Sequence, residues 1–372
     1  MEKKRVIVAV SNDLVADRRV DKECTTLHNH GYDVLLMGCY KKGRPEIKRP
    51  YGTFRFGLLF THKFAFYAEL NIRLFFQLLK REKDLILCND TDILPACYLA
   101  SKAGRTPLVF DAHELFPEVP EVVSRPFVRM FWRKIEDIFF PRLKYCYTVC
   151  QSIAKYYNYL YGTDMKVVRN IPSYKDVPEK TCHAPIDTGG RHLLLYQGAV
   201  NKGRGVDWLI KAMPLLDDCI LYICGDGDLL DEMKRLAKDT GVNDRVIFTG
   251  RIPAAELDYY TMQAEVGFVL LDNIGLSYYY SLPNRIFDYM RFGVPVIATD
   301  FPEISAIVKK HNTGLLTRDH SPQHLAALIR EITDTKTTLF DKDKIRQTAK
   351  DFTWENEEAV ILDTVSKAIN DK

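Results

Sequence analysis

The sequence has no run of about 18 uncharged apolar residues, so it predicts no membrane-spanning helix. The apolar run within its first ten residues is too short for a signal peptide, and no small-residue cleavage site follows it. Its nine scattered cysteines include no CxxC pair and no Cys/His cluster with zinc-ligand spacing. These absences favour a protein of the reducing cytoplasm, with Cys88, Cys97 and Cys224 as small core residues.

What the sequence does contain is typical of a folded protein of two domains. Its 372 residues are 47% hydrophobic and 27% charged, which excludes a disordered chain. The net charge of +3 is unevenly divided, because residues 1–180 carry +9 and the remainder carries −6. A basic half suits an anionic partner such as a phosphorylated substrate or a lipid surface. Nucleic acid is not an expected partner, since no recognition motif for it is present.

Short apolar strands alternate with helical segments in both halves of the chain. This alternation predicts an α/β fold with two doubly wound, Rossmann-like domains, which bind ligands at the carboxyl ends of their strands. Two such domains in tandem imply a cleft between them. The expected organisation is an N-terminal domain over 1–170, a linker rich in Pro and Gly over 171–190, a C-terminal domain over 191–350, and a final helix over 351–372 that can pack back on either domain, the N-terminal domain included.

The segment 281–300, SLPNRIFDYMRFGVPVIATD, carries the densest functional signal. Ser281 is a suitable helix N-cap, and Pro283 fits the first turn. The free N–H groups of such a helix start favour an anion, and Arg285 adds positive charge there. Asp288 lies one turn later, where its carboxylate can accept hydrogen bonds from ribose hydroxyls. An ordinary surface helix with a good cap is the alternative interpretation.

A glycine-rich loop, GAVNKGRG at 198–205, follows a predicted strand and precedes a predicted helix. Its glycines let the backbone approach a phosphate closely, and Lys202 and Arg204 supply positive charge. Both side chains are candidates, and the guanidinium group of Arg204 suits a phosphate held by two parallel hydrogen bonds. The alternative is a plain strand-to-helix turn with solvated charges.

His113 and Glu114 follow the strand 107–110, which places them at the carboxyl end of that strand. A histidine at the carboxyl end of a parallel strand is placed to hydrogen-bond a bound ligand. A histidine beside acids is also commonly structural. The sequence Asp90-Thr91-Asp92 spells DxD, a metal motif in other proteins, but after a first-domain strand it is interpreted as a turn and the start of a helix.

Six segments, taken in order, resemble glycosyltransferase family 4, which has the GT-B architecture of two Rossmann-like domains facing a central cleft. Members of that family often read S-L-P-N-K-L-F-E-Y-M in the segment that binds the donor. The resemblance extends along nearly the whole chain. The similar segments are DRRVDKECTTLHNHG at 17–31, FDAHELFPE at 110–118, YQGAVNKGRGVDWL at 196–209, CGDGDL at 224–229, FTGRI at 248–252 and the segment at 281–300.

The resemblance implies functional roles for residues of both domains. It implies catalytic roles for His113, Arg204 and Asp288. The residues implied on the side of the donor are Gly198, Lys202, Arg204, Gly225, Arg251, Ile252, Ser281, Leu282, Asn284, Asp288 and Glu303. The residues implied on the side of the acceptor are Asp17, Arg18, His113 and Glu114.

The sequence departs from the family pattern at two positions. Many members carry an arginine directly after the first glycine of the loop, where this chain has Ala199. The family also has a paired-glutamate pattern, E-x7-E, whose second member falls at Asp288 and whose first falls at Tyr280. The aromatic run Tyr278–Tyr280 either stacks on the sugar or base or belongs to a packed loop.

The expected function is therefore that of a metal-independent, retaining glycosyltransferase without a cofactor. Its substrates would be a UDP- or GDP-linked sugar and a saccharide or lipid-linked saccharide acceptor, in surface polysaccharide or glycoconjugate biosynthesis. A GT-B sugar-nucleotide epimerase and a non-catalytic partner subunit of a glycosyltransferase remain alternatives. A nicotinamide-dependent dehydrogenase is disfavoured, because no GxGxxG sequence follows the first strand.

Two stretches of the basic half, 64–81 and 125–144, combine aromatic and basic residues. A basic helix that carries Trp and Phe can lie on an anionic bilayer. The alternative is that these aromatic residues face the core of the N-terminal domain. The expected location is the cytoplasm, with peripheral contact to the inner face of the membrane.

Overall fold

The computed structural model of the chain describes residues 3–15, 17–40, 43, 46–173, 185–334 and 339–371. The chain divides into two compact units, one formed by Met1–Asn170 with Trp354–Lys372 and the other by Ile171–Thr353. Most of the predicted linker, residues 174–184, lies outside the described residues. Among the residues described, no helix has both the length and the apolar character that crossing a membrane requires.

The first unit is a parallel sheet covered by helices. Its strands are β1 (Arg5–Ala9), β2 (Asp33–Tyr40), β3 (Gly52–Gly57), β4 (Leu85–Asn89), β5 (Leu108–Ala112), β6 (Tyr145–Thr148) and β7 (Lys166–Val167). Its helices are α1 (Arg18–Asn29), α2 (Lys63–Leu79), α3 (Leu94–Gly104), α4 (Pro120–Val123), α5 (Pro126–Phe139), α6 (Gln151–Tyr161) and α15 (Trp354–Asn370). The strand order is β3-β2-β1-β4-β5-β6-β7.

The second unit repeats this architecture with a six-stranded sheet, counted over the described residues. Its strands are β8 (His192–Gln197), β9 (Cys219–Cys224), β10 (Val246–Gly250), β11 (Val266–Val269), β12 (Val296–Thr299) and β13 (Gly314–Thr317). Its helices are α7 (Val206–Ala212), α8 (Leu230–Asp239), α9 (Ala254–Gln263), α10 (Leu276–Tyr279), α11 (Arg285–Phe292), α12 (Pro302–His311), α13 (Pro322–Thr333) and α14 (Lys342–Ala349). The strand order is β10-β9-β8-β11-β12-β13.

The central strands of both sheets are short and largely buried, as in Leu193–Leu195 of β8, because helices cover both faces. The strand order reverses direction between β1 and β4 in the first unit and between β8 and β11 in the second. Ligands of open parallel sheets bind outside the carboxyl ends of the strands at such a reversal. The predicted α/β fold class is confirmed, and the loops after β1, β4, β5, β8 and β9 become the places to look for function.

The final helix, α15, belongs to the core of the first unit. Trp354, Ile361 and Val365 are buried in the same apolar cluster as Val20 and Leu27. The indole Nε1 of Trp354 also donates a hydrogen bond to the hydroxyl of Thr26, over 2.8 Å. A segment from the far end of the sequence therefore completes the packing of α1.

Candidate active site

In the second unit, the glycine-rich loop lies directly against the turn that follows β9. A Cβ atom at Gly225 would be 1.8 Å from the carbonyl oxygen of Gly198. A Cβ atom at Gly227 would be 2.2 Å from the side-chain oxygen of Asn201, which accepts a hydrogen bond from the amide of Asp228. Only glycine permits this approach of two backbones. The predicted donor residues Gly198 and Gly225 are thus immediate neighbours.

Two cations on this loop have no carboxylate partner among the described residues. The guanidinium of Arg204 lies 4.7 Å from the ring centroid of Tyr278, and its buried Nε has no hydrogen-bond partner. Lys202 is exposed to solvent. Two cations without an acidic partner beside glycine backbone suit an anionic ligand such as a phosphate.

Arg285, the first residue of α11, points into the unit rather than toward solvent at the helix start. It is 7% exposed, and its guanidinium contacts the ring of Tyr196 at a centroid distance of 5.0 Å. Arg285 is the first residue of the helix, as expected, and its positive charge lies on the buried side of the helix start. The long side chain reaches back toward β8, where its guanidinium group lies beside Gly198.

The prediction that Ser281 is the N-cap of this helix is wrong. Helix α11 begins at Arg285 after the N-cap Asn284, whose side chain makes no capping hydrogen bond. Ser281 instead donates its hydroxyl to the carbonyl oxygen of Tyr278, over 2.8 Å. The physical reason is that the run before it forms a separate short helix, α10, and Ser281 satisfies a carbonyl at its end.

Asp288 lies one turn into α11 and is held by a buried amide. The Nε2 atom of Gln197 lies 3.3 Å from Asp288 Oδ2, and the Thr261 hydroxyl donates to Gln197 Oε1 over 3.0 Å. Because Gln197 is 2% exposed, its amide has one orientation that satisfies both neighbours. Sequence reasoning did not find Gln197 or Thr261, although a polar residue ending the apolar strand LLLYQ was an available signal.

The remaining predicted donor residues occupy the same edge of the second sheet. Arg251 is exposed and Ile252 is half-buried directly after β10, and Glu303 is half-buried in the first turn of α12, after β12. Leu282 packs against the apolar core of the unit. The structure describes these placements, while the roles of the side chains toward a ligand stay predictions.

The aromatic run before α11 belongs to a packed loop in the described conformation. Tyr278 is buried beneath Arg204, and Tyr279 packs edge-on against Phe301 with ring centroids 5.1 Å apart. Tyr280, which stands where the family pattern has its first glutamate, packs against Tyr279 at 5.3 Å. Of the two interpretations of this run, the packing of the loop is the one that the contacts favour.

In the first unit, His113 lies between two carboxylates at the carboxyl ends of β4 and β5. Its Nε2 is 2.9 Å from Asp111 Oδ2 and 3.0 Å from Asn89 Oδ1, and its Nδ1 is 3.2 Å from Asp90 Oδ2. Although burial alone would lower the pKa of the His113 imidazole, Asp90 and Asp111 together raise it to about 10. His113 is therefore a cation at neutral pH, and both ring nitrogens have partners.

Beneath His113 lies a buried network that sequence reasoning did not find. Arg19 is 3% exposed and donates two hydrogen bonds to the carboxylate of Asp111, over 2.8 and 2.9 Å. Burial would raise the pKa of the Asp111 carboxyl, but Arg19 and His113 hold it below its usual value. Tyr147 donates its hydroxyl hydrogen bond to Glu23, a buried acid of α1. An Arg and a Glu four residues apart on the buried face of α1 were the available signal.

The DxD sequence forms a turn, as expected, and the structure gives this turn a place in the site. Asp90 has a left-handed φ of 69°, an uncommon conformation for a residue other than glycine. Its carboxylate accepts the backbone amide of His113 over 2.8 Å. Burial, with help from Asp90, raises the pKa of Asp92 to about 7 and that of Glu114 to about 8. Among the residues described, no group of three or more His, Cys, Asp or Glu is arranged to hold a metal ion.

The other two predicted acceptor residues lie at the start of α1. Asp17 is its N-cap and accepts the amide of Val20 over 3.1 Å, while Asn12 donates its side-chain amide to Asp17 over 2.8 Å. Arg18 is exposed. The structure thus gives Asp17 a capping role, and contact of either residue with an acceptor stays a prediction.

Solved structures of GT-B proteins share this fold over their whole length. Sucrose-phosphate synthase from Thermosynechococcus elongatus superposes with a TM-score of 0.78 at 17% identity, covering 100% of both chains. Anabaena HepE, solved in complex with UDP and glucose, superposes with a TM-score of 0.72 at 14% identity, covering 98% of this chain and 100% of that one. These likenesses define the chain as a protein of the GT-B fold class.

Two family models match the two halves of the sequence. Residues 16–173 match Glycosyltransferase Family 4, and residues 184–351 match Glycosyl transferases group 1. The matches follow one another and together cover most of the chain. The protein belongs to the family 4 type of GT-B glycosyltransferases, and the resemblance found from its six segments is confirmed.

Curated relatives match over shorter stretches. The GDP-mannose-dependent alpha-(1-6)-phosphatidylinositol monomannoside mannosyltransferase of Mycobacterium tuberculosis is 29% identical over 152 residues, which is 38% of this chain and 36% of that protein. The lipopolysaccharide core biosynthesis glycosyltransferase LpsD of Rhizobium meliloti is 26% identical over 172 residues, which is 46% of this chain and 48% of that protein. The chain thus spans about a third to a half of the length of these relatives.

Proposed function

We propose that this protein is an enzyme that transfers a sugar from a nucleotide-sugar donor to a saccharide acceptor. The observation that carries the proposal is the glycine-rich loop 198–205, where Arg204 and Lys202 have no carboxylate partner in the described structure. Gln197 holds Asp288 beside the same loop, within reach of a ribose. A diphosphate supplies the missing negative charge, and a ribose supplies hydroxyls for the carboxylate.

The chemistry proposed for the donor is loss of a nucleoside diphosphate. The bond between the anomeric carbon and the phosphate oxygen breaks, and its electron pair stays on that oxygen. Arg204 and the loop backbone stabilise this growing charge without a metal ion. The acceptor hydroxyl bonds to the anomeric carbon on the face that the phosphate leaves and passes its proton to the departing phosphate. This front-face course retains the anomeric configuration.

The first unit is proposed to bind the acceptor and the sugar in transfer. Its site holds the carboxylate of Asp90 next to the imidazolium of His113, together with the carboxyl groups of Asp92 and Glu114, whose pKa values burial raises to about 7 and about 8. Carboxylates accept hydrogen bonds from sugar hydroxyls, and the cation keeps Asp90 ionised and fixed in direction. His113 therefore acts with Asp90 on the sugar, and Glu114 is placed to accept a bond from the acceptor.

The test is a transfer assay with UDP- and GDP-linked sugars and a panel of saccharide and lipid-linked acceptors. We expect one donor class to bind and its sugar to appear on an acceptor. Arg204→Ala should abolish most of the turnover, while His113→Ala should slow transfer and leave nucleotide affinity within about twofold. Change of the donor sugar without an acceptor would indicate an epimerase. Absence of nucleotide binding would indicate a non-catalytic subunit.

Contact with an anionic membrane is proposed for one surface of the first unit. Exposed apolar side chains of α2 and α5 form an apolar face. Its residues are Phe64, Ile72, Phe76, Phe127, Met130 and Phe131. The rings of Phe64 and Phe131 pack at 5.5 Å, which joins the two helices into one surface. Phe127 is 82% exposed, and the cations Arg125 and Lys134 are exposed beside it. Such a face suits a lipid-linked acceptor at the inner face of a membrane in surface polysaccharide assembly.

Flotation with vesicles that contain phosphatidylglycerol tests this surface. We expect salt-sensitive binding that Phe127→Ser combined with Met130→Ser reduces at least about fivefold. Tyr159→Ser is the matched control, because Tyr159 is a 92% exposed aromatic residue on another helix, α6. Equal flotation of all three proteins, or none with the wild type, would contradict membrane contact and leave the transfer reaction untouched.

A further inference from the structure

Arg285 is a buried cation without a counter-ion among the described residues. Its Nη1 lies 3.3 Å from the Tyr196 hydroxyl and 3.4 Å from the Gln197 carbonyl oxygen, and its Nη2 lies 3.3 Å from the Leu270 carbonyl oxygen. All three acceptors are neutral, and all three distances are long for hydrogen bonds. The Nε atom is buried with no partner. A guanidinium group in this position is poorly satisfied.

Such an arrangement is costly in a folded protein unless another group completes it. A buried charge needs both a neutralising partner and a full set of hydrogen bonds, because its loss of hydration is otherwise uncompensated. Arg291, on the same helix, has such a partner, because it pairs with Asp258 over 3.1 Å. The partner that Arg285 lacks is an anion.

The position of the guanidinium group indicates where that anion lies. A Cβ atom at Gly198 would be 2.9 Å from Nη1, so the group lies directly beneath a loop residue that has no side chain to cover it. The loop continues with Ala199, which is exposed, where many relatives by resemblance carry an arginine. Residue 199 thus carries no positive charge, but the guanidinium group of Arg285, from helix α11, lies next to Gly198.

We propose that Arg285 is the second guanidinium group that binds the donor diphosphate, in the place that Ala199 leaves empty. The inference rests on the proposed function, because it assigns a further residue to the same site. Arg204 binds the diphosphate from the loop, and Arg285 binds it from beneath Gly198. When the bond between the anomeric carbon and the phosphate oxygen breaks, the electron pair remains on the phosphate, and Arg285 neutralises part of that charge.

The test compares the affinity of nucleoside monophosphate and diphosphate, with UMP and UDP and with GMP and GDP, by calorimetry. In the wild type the diphosphate of the correct base should bind more tightly than the monophosphate. Arg285→Met should weaken diphosphate binding about 10- to 100-fold and leave monophosphate binding within about threefold. Arg291→Met, on the same helix, is the matched control and should leave both affinities unchanged.

Two further variants separate charge from structure. Ala199→Arg added to Arg285→Met should restore most of the diphosphate affinity, because it returns the charge from the exposed side of the loop. Gly198→Ala should weaken diphosphate binding as well, since its Cβ displaces Nη1 while Arg285 remains, and it replaces Arg285→Met if that variant does not fold. Equal loss of monophosphate and diphosphate affinity without rescue would overturn the inference. If the wild type binds neither UDP nor GDP, the proposed function fails instead.

Discussion

His113 and Asp90 are joined at two points, since the backbone amide of His113 donates to one carboxylate oxygen of Asp90 and its Nδ1 lies 3.2 Å from the other. The double contact fixes the loop after β5 to the loop after β4 at the reversal of the strand order. This arrangement requires a left-handed φ at Asp90, which is an unfavourable backbone conformation for a residue other than glycine. The pairing predicts how the stability of the protein depends on pH.

His113→Gln should destabilise the protein most at low pH. The pKa of His113 is about 10 in the folded protein, above its ordinary value near 6.5. The stabilisation is therefore fully present below about pH 6.5 and disappears as the pH rises through 10. Urea unfolding at pH 6, 8 and 10 should show a loss of about 2–4 kcal/mol at pH 6 that shrinks toward pH 10. A loss of equal size at all three pH values would contradict the cationic state.

Arg19→Leu should cost about 3–5 kcal/mol of unfolding free energy, because it leaves the buried carboxylate of Asp111 without its partner. Arg18→Leu is the matched control, since Arg18 is the adjacent residue and is exposed. Its effect should stay within about 0.5 kcal/mol. Urea unfolding at neutral pH measures both variants, and similar free energies for the two would refute the role of the buried pair.

Gly225→Ala should disrupt the donor site, because the new Cβ would lie 1.8 Å from the backbone oxygen of Gly198 and neither backbone can yield cheaply. We expect nucleoside diphosphate affinity to fall at least about tenfold, together with the melting temperature. Gly57→Ala has no atom within 4 Å of its new Cβ and serves as the control. The measurement is calorimetric titration of both variants with a nucleoside diphosphate. Wild-type affinity in Gly225→Ala would contradict a role of the Gly198–Gly225 backbone contact in the donor site.

Gln197→Leu should weaken binding of the nucleoside, since Asp288 loses the hydrogen bond that directs it. A hydrogen bond to a charged group is worth about 1.5–3 kcal/mol, so we expect the affinity to fall about tenfold or more. Thr261→Val, which removes the other partner of Gln197, should change the affinity in the same direction by less. The readout is the ratio of ribonucleotide to 2′-deoxyribonucleotide affinity, which should fall toward one only if Asp288 binds the ribose.

Most of the fold could be predicted because its central strands are continuous apolar runs. The strand predicted over 107–110, before His113, corresponds to β5 (Leu108–Ala112). The strands that prediction missed include β3 and β13, which lie at sheet edges. An edge strand pairs on one side only, so its sequence need not be apolar, as GTFRFG shows. Nothing in local periodicity separates such a segment from a loop.

The candidate site could be predicted where its residues follow strands and not where they depend on side-chain direction. Gly198, Arg204 and His113 were found because a motif places them at strand ends. The inward turn of Arg285 and the hold of Gln197 on Asp288 arise from rotamers and packing between distant segments. The same reason explains why Arg18 was selected on α1 while its neighbour Arg19 makes the buried ion pair.

The chain passes between its two units twice, at residues 170–171 and 353–354, and the second passage has a consequence for synthesis. On the ribosome, the β1 sheet emerges first, yet its core lacks Trp354, Ile361 and Val365 until the last helix is made. The second unit is therefore complete earlier in synthesis than the first unit, which awaits α15. A nascent chain therefore exposes the apolar side of α1 around Val20 and Leu27 throughout elongation, and a premature stop before codon 354 leaves that side permanently open to chaperones and proteases.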